Sequence, residues 1–170
     1  MVKLSAGLLL YRSMDHGIEV LLVHPGGPFW AGKEDGVWSL PKGEYNKAEE
    51  PHAAAKREFT EETGFAIPEG DLLPLGEVTY GNKKVVAWAI EGDADVAQLK
   101  SNLITIDWPP KSGKTMEIPE CDRAEWFDLA TAEMKLVKGQ VPFIQALAKV
   151  LHVEAPKMAP PEDGKQLSLL

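Results

Sequence analysis

Glu58, Glu61 and Glu62 stand three and four residues apart in the run Arg57-Glu58-Phe59-Thr60-Glu61-Glu62-Thr63-Gly64-Phe65. On a helix turning about 100° per residue they fall within an arc of roughly 100°, so three carboxylates share one face. Like charges at that spacing repel by about 0.2–0.5 kcal/mol per pair on an exposed helix. The repulsion becomes an asset if the face holds divalent cations, because Mg²⁺ prefers hard oxygen ligands and keeps waters of its own. Alone, such a triplet describes an ordinary solvated helix. Its neighbours change the reading.

The elements needed to hold that face are written around it. Pro51 follows Glu49-Glu50, so it suits the first helical turn, where its missing N–H costs nothing. His52-Ala53-Ala54-Ala55-Lys56-Arg57-Glu58-Phe59 has high helix propensity apart from His52. Gly64 is placed to leave the helix in a left-handed conformation. Ala54, Ala55, Phe59 and Thr63 are candidates for the opposite, packed side. Upstream, Trp38-Ser39-Leu40-Pro41-Lys42-Gly43-Glu44 reads as a strand end breaking into a loop. Its carbonyls are close enough in sequence to join a metal shell.

Taken whole, the stretch runs Gly43, five residues, Glu49, seven residues, then Arg57 to Phe65. It resembles the Nudix box of the Nudix hydrolase family at every defining position. The resemblance implies an α/β fold, an αβα sandwich around a mixed β-sheet. It also implies Mg²⁺-dependent cleavage, with Mn²⁺ as a substitute, of a diphosphate linkage in a nucleoside diphosphate joined to another group. By position, Glu58, Glu61 and Glu62 would be metal ligands and Arg57 would pair with and orient a box glutamate. Glu49 would be a supporting carboxylate, and Gly43 the loop glycine that lets the backbone approach the metal.

Bulk properties agree. The chain of 170 residues fits one domain with a proper core, and 44% hydrophobic and 26% charged residues are ordinary for a globular protein. No apolar run approaches the roughly 20 residues that span a bilayer, and Tyr11-Arg12 ends the N-terminal run too early for a signal peptide. Cys121 is the single cysteine, so no intrachain disulfide forms and a reducing cytoplasm is expected. The net charge of −8 argues against a nucleic-acid binder, and no membrane is expected as partner. It would also repel a polyphosphate, which argues that metal belongs to the substrate site.

The rest of the chain supplies the sandwich and the substrate contacts. Leu4–Arg12 and Ile18–His24 read as strands joined through Ser13-Met14-Asp15-His16-Gly17, and Lys84–Ile90 and Glu125–Leu129 as further strands. Pro142 with Phe143, Ile144, Ala146, Leu147, Val150 and Leu151 predicts a C-terminal amphipathic helix. Ile118-Pro119-Glu120-Cys121-Asp122 reads as an acidic loop before a strand. Many Nudix hydrolases take one more carboxylate from such a loop, as ligand or as base; Glu120 is favoured over Asp122. Lys42 and Lys83 are phosphate-contact candidates, and Tyr80 is a base-stacking candidate. Trp30 and Trp108, in loops, are the better indole platforms, whereas Trp38, Trp88 and Trp126 read as core. The region from Glu125 to Phe143 loosely resembles the dinucleoside tetraphosphate hydrolase branch.

The mechanism implied is metal-assisted attack of water at phosphorus, with Glu61 or Glu120 taking the proton. Dinucleoside polyphosphates lead as substrate, ahead of nucleoside triphosphates and ADP-ribose. A non-catalytic nucleotide sensor on the same fold would be expected to have lost box carboxylates, and none is lost. Isopentenyl diphosphate isomerisation would need further catalytic residues that are not seen. Residues 1–153 form the expected domain. The tail 154–170 has the composition of a disordered linker, and Gln166-Leu167-Ser168-Leu169-Leu170 resembles the motif by which bacterial proteins dock on the polymerase sliding clamp.

Overall fold

The apolar N-terminal run becomes the middle of a sheet. A computed structural model describes residues 1–156. In chain order the elements are β1 (Lys3–Met14), β2 (Gly17–Pro25), β3 (Lys42–Glu44), α1 (Pro51–Thr63), β4 (Leu73–Tyr80), β5 (Lys83–Glu91), β6 (Leu103–Asp107), β7 (Thr115–Pro119), β8 (Cys121–Asp128), α2 (Leu129–Lys135) and α3 (Val141–Leu151). The main sheet runs β4-β5-β1-β2-β8, with β3 also on β1. It is mixed: β1 and β5 pair in parallel, and the other pairs are antiparallel.

Side chains of β1 alternate between two cores, as a strand buried on both faces requires. Leu9 and Tyr11 face one cluster with Phe143, Ile144 and Leu147 of α3 and Ala132 of α2. Ala6, Leu8 and Leu10 face the other with Ala54, Ala55 and Phe59 of α1. This is the αβα sandwich the box resemblance implied. Among the described residues no helix is long and apolar enough to cross a membrane.

One edge of β1 is shared. Its C-terminal half pairs β2 through Tyr11↔Val20 to Met14↔Gly17, and its N-terminal half pairs β3 through Ser5↔Glu44 to Gly7↔Lys42. The two strands fork, and the segment Ser39–Glu44 threads the fork. Ser39 exchanges both backbone hydrogen bonds with Val23 of β2, while Pro41 O accepts from Leu8 N of β1.

The structure refines several sequence expectations. β1 and β2 run on to a tight Asp15-His16 turn, shorter than the five-residue connection expected. α1 starts at Pro51 and ends at Gly64, whose φ of 73° and N–H to Thr60 O make the left-handed cap. Glu120 lies between β7 and β8, and Asp122 is inside β8 rather than in a loop. The β6–β7 hairpin, a separate two-stranded sheet, and α2 were not foreseen. Of the tryptophans placed in the core, Trp38 is fully buried, whereas Trp88 and Trp126 are half-buried. The tail from residue 157, with the sliding-clamp motif, lies outside the described residues.

Candidate functional site

α1 packs Ala54, Ala55, Phe59 and Thr63 on the sheet, but Glu58 and Glu62 are buried with them. The helix therefore presents these two carboxylates toward the threaded Ser39–Glu44 segment, while Glu61 stays exposed. Gly43 makes the close approach feasible. A Cβ there would fall 2.0 Å from the Glu58 carboxyl carbon, a contact no other residue type tolerates. The Lys42 N–H donates to Glu62 Oε1 at 3.2 Å.

Arg57 organises the rim. Its Nε and one terminal nitrogen donate to Glu49 at 2.8 and 3.0 Å in the bidentate geometry that favours arginine. The other terminal nitrogen donates to Glu58 at 2.8 Å and Glu61 at 3.2 Å. These bonds hold the Glu49 carboxyl below its ordinary range and raise the guanidinium further above its own.

Deeper in, charge is under strain. Burial, then the neighbouring Glu120 charge, pushes the Glu62 carboxyl well above the ordinary range, and the Lys42 ammonium works against that rise. Burial also raises Glu58, opposed by Arg57. The Cys121 thiol is 3.7 Å from Glu62 Oε1 and is pushed far up, first by burial and then by Glu62 and Glu120. A buried thiol so held is an inert core group.

Two carboxylates crowded in a buried place hold a proton between them unless a cation replaces it. That donor set suits a hard divalent ion: oxygen only, buried, with a backbone segment pressed close by a glycine. Glu58, Glu62 and Glu120 would hold such an ion, with Glu61 at the rim. Among the described residues no three acidic, His or Cys side chains are already drawn into a closed ligand cage; Arg57 holds Glu58 and Glu61 instead.

The structure thus brings Lys42, Gly43, Glu49, Arg57, Glu58, Glu61, Glu62 and Glu120 together. It does not bring Tyr80 there. The Tyr80 ring packs on Gly139, where a Cβ would lie 2.3 Å from it, and its hydroxyl accepts from Gln140 Nε2 at 3.0 Å. It belongs to the α3-side core, so the stacking role expected of it is corrected: that ring face is taken. Lys83 opens β5 and pairs in register with Lys3 and Tyr80. Trp108 sits at the mouth of the β6–β7 loop, its backbone N–H donating to Lys114 O at 2.9 Å. Asp122 is engaged elsewhere, accepting from His24 Nδ1 at 2.8 Å. The ladder skips it between His24↔Arg123 and Pro25↔Cys121, and such an extra residue re-aims a side chain.

Two features escaped sequence reasoning, His24 and the cleft beside Arg57, whereas Trp30 was already a platform candidate. His24 is buried, and its Nε2 bonds the Lys33 carbonyl at 2.6 Å, tying the loop after β2 to β8. That loop exposes Phe29 and Trp30, edge to face at 4.8 Å, with Lys33 Nζ 3.9 Å from the Phe29 ring. An open cleft of about 800 Å³ borders Arg57 and Glu49 and is rimmed by Lys3, Lys47 and Tyr45. His24 precedes a Pro-Gly-Gly turn, but nothing in the sequence names its partners. The aromatic pair in a polar loop was the one available signal.

Comparison with known proteins bears on this arrangement. A family model described as the NUDIX domain matches residues 1–147. The 8-oxo-(d)GTP phosphatase of Mycolicibacterium smegmatis is 32% identical over 119 residues, covering 62% of this chain and 34% of that protein. The chain thus spans about a third of that relative's length. The RNA pyrophosphohydrolase of Brucella anthropi is 30% identical over 154 residues, covering 74% of this chain and 80% of that protein. Among solved structures, an Ap4A hydrolase of C. elegans in a binary complex superposes with a TM-score of 0.60 at 23% identity, over 89% of this chain and 98% of that one. At that identity the likeness speaks to fold alone.

Proposed function

Because this chain belongs to the NUDIX domain family, we propose that it is a divalent-metal-dependent hydrolase of a diphosphate linkage in a nucleoside diphosphate derivative. The observation that carries the reading is Glu62, buried in α1 and pressed by Glu120 while Gly43 makes room for Glu58. An arrangement so unfavourable without a cation is hard to explain as a solvated helix face. When bound, Mg²⁺ supplies a Lewis acid beside the phosphate oxygens and neutralises charge on the leaving group.

The chain's own groups do the rest. Glu61 or Glu120, each less enclosed than Glu62, accepts a proton from the attacking water as the new P–O bond forms and the anhydride P–O bond breaks. Arg57 fixes Glu49, Glu58 and Glu61 relative to one another. Lys42 meets phosphate from the start of β3, and Lys3 and Lys47 on the cleft rim offer further cationic contacts. Trp30 with Phe29 gives a base a platform, and Trp108 a second one.

The leading substrate is a dinucleoside polyphosphate such as diadenosine tetraphosphate. It is long enough to use both the carboxylate site and an aromatic platform. The names of the two relatives favour a second reading, a nucleoside triphosphate or an RNA 5′ polyphosphate end. Incubation with Mg²⁺ and diadenosine tetraphosphate, nucleoside triphosphates, ADP-ribose, NADH or a 5′-triphosphorylated RNA, followed by chromatography, separates these. Release of ATP and AMP from diadenosine tetraphosphate is expected. Turnover of another member alone replaces the substrate, and EDTA-sensitive binding without turnover of any replaces enzyme by sensor.

A further inference from the structure

Gln140 is fully buried. A buried primary amide is costly unless both N–H donors and the carbonyl find partners, and a Leu would fill similar volume without that demand. Here every demand is met. Oε1 accepts the Leu40 N–H at 3.0 Å, and Nε2 donates to Ser39 Oγ at 2.9 Å and to the Tyr80 hydroxyl at 3.0 Å. Ser39 Oγ in turn donates to Leu40 O at 2.6 Å. The Leu40 N–H can only donate, which fixes the amide's orientation.

Leu40 needs these partners because of where it stands. Ser39 is bonded to β2 and Pro41 to β1, so Leu40 is the step at which the threaded segment changes strands. It is buried, and among the described residues its N–H and C=O find only side-chain partners, those of Gln140 and Ser39. The segment's other flank is also fastened toward α2 and the turn after it: Gly36 N to Met134 O, Trp38 N to Lys135 O and Val137 N to Trp38 O. Gln140 continues that ladder with a side chain where the two backbones part. Two residues on, Lys42 N–H meets Glu62 and Gly43 receives Glu58.

We propose that Gln140 is a positioning residue for the carboxylate site. From the α3 side of the sheet it holds Leu40 in the fork, and so sets how closely Lys42 and Gly43 approach Glu62 and Glu58. It touches neither substrate nor ion. Ser39 and the Tyr80 hydroxyl are its supports, which gives Tyr80 a role different from stacking. The inference rests on reading the carboxylates as a divalent-cation site, and its test has readouts besides turnover.

Wild type, Gln140→Leu and the milder Tyr80→Phe would be compared by Mn²⁺ affinity, followed through the electron paramagnetic resonance of the free ion. Hydrogen exchange over residues 38–45, melting temperature, and kcat and KM would be measured alongside. Gln140→Leu is expected to weaken Mn²⁺ binding about tenfold, as loss of supporting contacts does. It should also speed exchange in 38–45 and lower kcat more than it raises KM. Tyr80→Phe should move the same quantities the same way by about two- to threefold, and it decides the matter if Gln140→Leu does not fold. A folded variant with lower melting temperature but unchanged Mn²⁺ affinity and unchanged exchange overturns the inference, leaving Gln140 a core filler. Wild type that binds no Mn²⁺ overturns instead the reading beneath it.

Discussion

The two faces of the sheet solve burial in opposite ways. On the α1 face, Glu58 and Glu62 are enclosed as acids, Glu62 beside Glu120 and above a buried thiol. On the α3 face Gln140, Ser39 and Tyr80 join in one neutral network, while buried His24, edge-on to Trp38, is fastened separately to Asp122 and the Lys33 carbonyl. The indole N–H of Trp38 is without a partner among the described residues. Around that network lie Phe143, Ile144 and Leu147, each fully buried or nearly so and each stabilising by about 1.5–3 kcal/mol. One face keeps the fold so that the other can hold charge away from water. Stability and chemistry lie on opposite sides of a single layer of strands, joined where Gln140 holds Leu40.

That separation is open to breaking. Phe143→Ala should cost about 3–5 kcal/mol of stability, read by denaturant unfolding, while kcat per folded molecule stays near wild type. A proportionate fall in kcat would show the faces to be coupled more tightly than their separate cores suggest. Glu62→Gln should do the reverse. We expect turnover to fall about 10²–10³-fold, equivalent to about 2.7–4 kcal/mol, with the metal-free melting temperature unchanged or higher because a crowded charge is gone. Full activity in a folded Glu62→Gln protein would end the assignment. Gly43→Ala drives a methyl into the Glu58 carboxyl and should cost about 1–3 kcal/mol, with Mn²⁺ affinity falling in parallel.

The smallest effect is in pH. Glu58 and Glu62 hold their protons to higher pH folded than unfolded. Their contribution is therefore complete below the ordinary carboxylate value of about 4.3 and is lost as pH rises through their raised values. The melting temperature in EDTA should fall across that window, and Mg²⁺ should flatten or reverse the trend. Glu49 and Glu34, held down by Arg57 and Arg123, act in the opposite sense and at lower pH, so they do not mask it. A flat profile in EDTA would mean that the α1 face carries no unusual charge.

The α1 face was legible in the sequence because its requirements are local. Pro51, the acidic triplet and Gly64 fix a helix start, a face and a stop within one stretch, and each stands where the spacing predicts. The α3 face was half legible. The apolar spacing from Phe143 to Leu151 marks a helix, but nothing singles out Gln140, because a glutamine is buried only when distant backbone needs it. Tyr80 was misread for the same reason: its partner lies sixty residues away. α2 carried a signal that was passed over, Asp128 capping the Thr131 N–H. The β6–β7 hairpin was hidden because nearly all of its residues are exposed, so neither strand has a buried face to write an alternation.

The parallel pairing of β1 with β5, in register from Lys3↔Lys83 to Tyr11↔Glu91, has a consequence for biogenesis. A ribosome delivers β1 first, yet the strand that covers one of its edges arrives only after α1 and β4 have been made. Until then a long apolar strand has an unpaired side, the condition in which nascent chains attract chaperones or one another. Loop closure over that distance makes the pairing slow to form. Arrest of synthesis before residue 91 should therefore leave a chain that cannot complete either core, whereas arrest after Leu151 should release one that can.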